Sequence, residues 1–126
     1  MVNKQTVNNQ DKVATHFMGK AKVSWRKSLK VTQQAAGQVP NFAKRFYVFN
    51  HGADFTREDV KGFQDLDLKV IVSINTGHYQ TGNPQRQGDV HVRQMLDFGV
   101  DGLQVDSCYD KGLFEKVGYR DTGHRR

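Results

Sequence analysis

The sequence predicts an α/β protein built on a parallel sheet, and two observations support this prediction. Strand-like and helix-like segments alternate from about residue 45 onward, in the order strand, helix, strand, helix, strand, helix. The middle strand, LKVIVSI at 68–74, is a near-continuous apolar run without alternation, which is typical of a parallel strand covered on both faces. The short connections favour right-handed crossovers between neighbouring strands.

The first strand and helix of this series have clear local signals. RFYVFN at 45–50 is an aromatic and β-branched run, which predicts a buried strand. Thr56 is expected to open the next helix. Asp59, three residues later, completes a capping box in which Asp replaces the usual Glu or Gln.

The later elements are equally short. A helix is predicted over Asp89–Phe98 and should end at Gly99, since glycine commonly terminates helices. DGLQVD at 101–106 predicts the third strand, and Lys111–Val117 predicts one or two final helical turns.

The N-terminal part has weaker signals. Residues 1–22 are expected to form a basic, partly disordered leader, and residues 23–126 the folded domain. An amphipathic helix is predicted over Val23–Ala36, ended by Gly37.

Positive charge is concentrated in the first third of the chain. Residues 1–47 hold nine Lys or Arg and one acid, a net charge of +8, whereas residues 48–126 have a net charge of −2. Few aromatic residues accompany the basic ones, so a solvated basic face is favoured over a nucleic-acid partner. The densest basic positions are Lys20, Lys22, Arg26, Lys27 and Lys30.

Length and composition exclude several classes of protein. The chain has 126 residues, enough for one domain with its own core, and no apolar run long enough for a membrane span. Its one cysteine, Cys108, excludes an internal disulfide. A polar stretch follows Met1, so no secretory signal is predicted. The chain as written is expected to be cytoplasmic, and its location is open if an upstream segment is missing.

Polar side chains follow each predicted strand and form the candidate site. Because ligands of parallel α/β folds bind beyond the carboxyl ends of the strands, we expect substrate-binding roles for His51, Asn75, His78 and Asp106. The alternative is that these residues only form turns or, for Asp106, cap a helix. His91, in contrast, is expected to be a surface group without a partner.

The second half of the chain resembles the glycerophosphodiester phosphodiesterase family. MLDFGVDGLQVD at 95–106 is similar to the end of that family's last strand, and DLKVIVSIN at 67–75 is similar to its penultimate strand. The resemblance covers about residues 45–110. It implies a partial (β/α)8 TIM-type barrel, in which this chain provides about the last three βα units.

The resemblance also implies a function. Members of the family hydrolyse glycerophosphodiesters to glycerol 3-phosphate and an alcohol with a divalent metal, Mg or Ca. Their catalytic motifs lie on earlier strands, and no counterpart precedes residue 45 here. The chain alone is therefore expected to be inactive and not to hold the metal by itself, and whether it is an enzyme is left open. The alternative is a non-catalytic half-barrel that self-associates, pairs with a missing barrel half, or binds phosphate or polyols.

Overall fold

The computed structural model describes residues 4–7, 23–75, 77, 79, 82–105 and 119–121. Six strands lie in this part of the chain: β1 (Lys4–Val7), β2 (Val23–Trp25), β3 (Phe46–His51), β4 (Val70–Ile74), β5 (Gly102–Val105) and β6 (Tyr119–Asp121). Four helices accompany them: α1 (Leu29–Gln38), α2 (Phe42–Arg45), α3 (Arg57–Asp65) and α4 (Pro84–Phe98). A single 3₁₀ turn, Gly52–Asp54, follows β3.

The six strands form one sheet in the order β2-β3-β4-β5-β1-β6, and every pairing is parallel. In the central register, Val48 lies beside Val70 and Ile71 beside Gly102. The predicted α/β class with a parallel sheet is confirmed.

The helices pack on one face of the sheet. α1 contacts α3, and α3 contacts α4, so the three longer helices form one layer over the strands. Alternate strand residues point into this layer and form its core. The buried members of this core are Phe42, Val48, Phe55, Val60, Phe63, Leu68, Val70, Val72, Ile74, Val92, Met95, Val100, Leu103 and Val105.

The opposite face of the central strands is also buried. Tyr47, Phe49 and Ile71 alternate with the core residues and are each at most 4% exposed, although they lie outside the helix-side core. All five residues of β4 are buried. This confirms the prediction that the apolar run at 68–74 forms a strand covered on both faces.

Two helix ends follow the predicted chemistry. The Thr56 hydroxyl accepts a hydrogen bond from the Asp59 backbone N–H, and the Asp59 carboxylate accepts one from the Thr56 N–H, both at 3.1 Å. Gly99 ends α4 in the left-handed conformation, with φ of 76°. The start of α4 was predicted wrongly at Asp89. The helix begins at Pro84, and Asn83 caps it. The prediction missed this start because the first turn contains no apolar residue that would show a helical period.

The predicted helix over Val23–Ala36 is wrong in its first part. Val23–Trp25 is a strand that pairs with β3, and the helix starts only at Leu29. Ser28 caps it by accepting a hydrogen bond from the Val31 N–H. Gly37 does not end this helix, which continues to Gln38.

The expected leader is described only in part. Lys4–Val7 forms β1 between β5 and β6, although the sequence predicts no regular structure there. The other residues of 1–22 and the predicted turns at 111–117 lie outside the described residues. The disordered leader therefore stays a prediction.

A buried threonine joins β2 to α1. The Trp25 indole N–H donates to the Thr32 hydroxyl at 2.7 Å, and this hydroxyl donates to the Ser28 carbonyl at 2.6 Å. Thr32 is fully buried. The Trp25 ring in turn packs edge-on against Phe42 and Phe46.

We expect Thr32→Val to lower the free energy of unfolding by about 1–3 kcal/mol, because it leaves the indole N–H without its acceptor. Urea denaturation measures this change. The matched control is the same substitution in a Trp25→Phe background, where no indole N–H is present and the loss should be clearly smaller. Equal losses in both backgrounds would contradict the assigned hydrogen bond.

Two helical glycines provide a second comparison. A Cβ at Gly37 of α1 would meet nothing within 4 Å, whereas a Cβ at Gly62 of α3 would lie 2.4 Å from Leu29 Cδ2. Gly37→Ala should therefore stabilise the protein by about 0.5–1 kcal/mol. Gly62→Ala should destabilise it by about 1–3 kcal/mol, since Leu29 must move. Thermal or urea unfolding of both variants checks this, and equal stabilisation would refute the close approach of α1 and α3.

Candidate functional site

The carboxyl ends of β3 and β4 lie side by side and carry two of the predicted site residues. His51 ends β3 and lies beside Ser73 of β4 in the parallel register, and Asn75 follows β4 directly. His78 and Asp106, the other two predicted residues, lie outside the described residues. Their predicted substrate-binding roles stay predictions.

Local hydrogen bonds hold the His51 imidazole. Its Nδ1 accepts a hydrogen bond from the Ala53 N–H at 3.1 Å, so this nitrogen is unprotonated and a neutral ring carries its proton on Nε2. The backbone N–H of His51 donates to the Asn50 side-chain oxygen at 2.9 Å. The orientation of the ring therefore follows from the turn after β3.

Gly52 allows this turn to pack closely against α4. A Cβ at Gly52 would lie 3.0 Å from Ile74 Cγ1 and 3.3 Å from Met95 Cγ. A larger residue would push the turn away from the helix. The close approach brings His51 near the α4 residue one turn before Met95, which is His91.

Asn75 extends the site along β4. Its side-chain N–H donates to the Ser73 hydroxyl at 2.9 Å, and Ser73 itself is only 6% exposed. Because Ser73 lies beside His51 in the register, the sheet brings together the Asn75 amide and the end of β3.

The sequence prediction missed one member of the site, His91, whereas Tyr79 is among the polar residues that it placed after β4. The Tyr79 hydroxyl and His91 Nδ1 lie 2.6 Å apart, and both residues are partly buried. The His51 ring centroid lies 5.7 Å from that of Tyr79 and 6.3 Å from that of His91. His51, Tyr79 and His91 together are called the strand-end cluster below.

The prediction that His91 is a surface group without a partner is wrong. His91 lies one position before Val92 and four before Met95, so it shares the inward face of α4 with these core residues. This helical spacing was the available signal. The partner, Tyr79, comes from the loop before the helix, and no spacing rule predicts such a contact.

Burial determines the charge of His91. Desolvation lowers its pKa from the ordinary value of 6.5, so the ring is neutral at pH 7. A phenol is a stronger donor than a neutral imidazole, and we expect Tyr79 to donate to Nδ1 and leave the proton on Nε2. His91 and Tyr79 then offer neutral donors and acceptors, which suit the oxygens of hydroxyl and phosphate groups.

The described residues do not fit the divalent metal that the resemblance implies. Across residues 23–75 and 82–105, no three His, Cys, Asp or Glu side chains lie close enough to hold an ion. The strand-end cluster contains no carboxylate, the ligand that Mg and Ca prefer. The metal therefore stays a prediction, and no step below depends on it.

A separate pocket of about 530 Å³ lies at the other end of the sheet, before β3 and β4 begin. Its lining includes Asn41 and Asp67, which adopt left-handed conformations with φ of 59° and 63°. None of the predicted site residues lines this pocket. The candidate site and the pocket are therefore at opposite edges of the sheet.

No protein-family model, curated protein or solved structure matches this chain. The relationship implied by the resemblance therefore stays a proposal. In the described part of the chain, no helix has both the length and the apolar character to span a membrane.

The lowered pKa of His91 predicts a pH-dependent stability. The unfolded chain takes up a proton on this residue as the pH falls through about 6.5, while the folded protein resists it. Acidification should therefore destabilise the folded state. We expect urea denaturation between pH 7.5 and 5.5 to show a larger loss for the wild type than for His91→Gln, which cannot titrate.

Subtracting the free energy of unfolding of His91→Gln from that of the wild type at each pH cancels the contributions of all other titrating groups. A difference between the two proteins that does not change with pH would contradict the burial of a neutral imidazole. Long-range ¹H–¹⁵N NMR spectra at pH 7.5 should show His91 as the Nε2–H tautomer, and Tyr79→Phe should alter this signal more than that of any exposed histidine.

Proposed function

We propose that this chain forms the later strands of a glycerophosphodiester phosphodiesterase-like barrel and binds the phosphorylated polyol part of its ligand at the strand-end cluster. The observation that supports this proposal is the meeting of His51, Tyr79 and His91 at the carboxyl ends of β3 and β4. Barrels of this type bind their ligands at the same end of the strands.

The arrangement of strands and helices supports the barrel part of the proposal. β2, β3, β4 and β5 are neighbours in the order in which they occur in the chain. The described helices connect these strands in turn and pack on one face, as the helices of βα units in a barrel do.

The chemistry of the cluster supports a ligand rich in oxygen atoms. An imidazole N–H and the Asn75 amide N–H can donate to hydroxyl and phosphate oxygens, and the Tyr79 hydroxyl can accept a hydrogen bond from a hydroxyl group. A phosphorylated polyol, such as glycerol 3-phosphate, combines both kinds of oxygen.

Hydrolysis by the isolated chain is not part of the proposal. Members of the family carry their catalytic acids and histidines on earlier strands, and residues before 45 offer no counterpart. Binding by this chain and turnover by a complete barrel are therefore separate properties.

A second candidate is a non-catalytic half-barrel that self-associates. Within the described residues, no strand pairs with the outer edge of β2, and Val23 there is 57% exposed. Open parallel edges favour pairing with another chain. Light scattering after size exclusion distinguishes a monomer from a dimer, and a dimer broken by Val23→Pro would favour this candidate.

Calorimetric titration tests the proposed ligand. We expect the wild type to bind glycerol 3-phosphate, and His91→Ala to weaken binding roughly tenfold, about 1.4 kcal/mol, by removing a donor to the ligand. Gln94→Ala is the matched control, because Gln94 is exposed on the same helix. Equal weakening by both variants, or no binding by the wild type, would contradict the proposed site.

A turnover assay checks the expectation that the isolated chain does not hydrolyse glycerophosphodiesters. With glycerophosphocholine and Mg or Ca, the purified chain should release no glycerol 3-phosphate above the blank. Release that depends on the metal would show that the chain is itself a phosphodiesterase.

A further inference from the structure

Two arginines of the described chain lie over phenylalanine rings, and only one of them forms an ion pair with a described carboxylate. The Arg57 guanidinium lies 4.9 Å from the Phe98 ring centroid and forms an ion pair with Asp97. The Arg26 guanidinium lies 5.2 Å from the Phe49 ring centroid. Among the described residues, no carboxylate lies within ion-pair distance of Arg26.

The position of Arg26 places this charge at the ligand-binding end of the sheet. Trp25, the last residue of β2, lies beside Val48 of β3, so Arg26 follows at the level of Phe49. His51 comes two residues later on β3, about 7 Å further along the strand direction. Arg26 and the strand-end cluster therefore share one edge of the sheet.

Phe49 restricts where the guanidinium can lie. The ring is 4% exposed and belongs to the sheet face away from the helix-side core. A cation–π contact with this fixed ring restricts the positions of the guanidinium and does not use its N–H groups as donors. These N–H groups form the fork that matches two oxygens of a phosphate.

We infer that Arg26 binds the phosphate group of the ligand, held in place by Phe49. The inference rests on the proposed function for the rest of the ligand, and it adds a permanent cation to the donors of the strand-end cluster. It also separates Arg26 from the other basic residues of the N-terminal third. Lys27, the next residue, is exposed and stacks on no ring in the described part of the chain.

Titration of the purified chain with inorganic phosphate tests this inference without the polyol. We expect Arg26→Gln to weaken phosphate binding at least tenfold. Lys27→Gln removes the same charge from the neighbouring position and should change the affinity less than twofold. Arg26→Lys keeps the charge but loses the fork, and its affinity should fall between those of the wild type and Arg26→Gln.

Two results of this titration would overturn the inference. Similar losses for Arg26→Gln and Lys27→Gln would mean that phosphate responds only to net charge, and would overturn the inference. Absence of phosphate binding by the wild type would overturn it as well. Circular dichroism melting of each variant distinguishes a lost site from a lost fold, because Arg26 is exposed and its variants should melt like the wild type.

Comparison with glycerol 3-phosphate separates the two proposals. In one outcome, Arg26→Gln weakens phosphate binding, and the wild type binds glycerol 3-phosphate no more tightly than phosphate. The Arg26 site then stands and the proposed polyol site fails. If glycerol 3-phosphate binds and depends on His91 but not on Arg26, then the proposed function stands and this inference fails.

Discussion

The double-sided burial of β4 is the constraint on which the other features depend. Val70, Ile71, Val72 and Ile74 are completely buried and Ser73 nearly so, which means that both faces of the strand are covered. A strand in this position cannot carry charged side chains along its length, since burial of an unpaired charge is costly. The polar chemistry of the protein is thereby restricted to the strand ends, where the strand-end cluster and Arg26 lie.

Side-chain hydrogen bonds fix the amino end of this strand. The Asp101 carboxylate accepts from the Val70 N–H at 2.9 Å and from the Gln64 side chain at 3.2 Å, and Gln64 also donates to the Gly99 carbonyl. These contacts tie α3, the end of α4 and the start of β5 to β4. The carboxyl end is followed by Asn75 and Tyr79 and lies beside His51 of β3. One end of the strand thus secures the fold, and the other carries the candidate site.

Much of the central fold could be predicted from the sequence. The apolar run at 68–74, the aromatic run at 45–50 and the capping pair Thr56 and Asp59 each express a strong local preference, and the structure follows all three within two residues. The strand β2 could not be predicted, because three residues are too few to show alternation. Trp25 also fits a helical period with Leu29 by spacing alone. Its place in the sheet depends on pairing with β3 and on the buried hydroxyl of Thr32.

The sequence by itself determined the α/β class, the apolar strands and the positions of His51 and Asn75 at strand ends, since each depends on local patterns or on the polarity of strand ends. Only the tertiary structure decided that His91 contacts Tyr79 and that Arg26 lies over Phe49. These contacts connect residues 12 and 23 positions apart in the chain. They arise from the packing of α4 and β2 against the sheet, and this packing is a property of the whole core that no local period encodes.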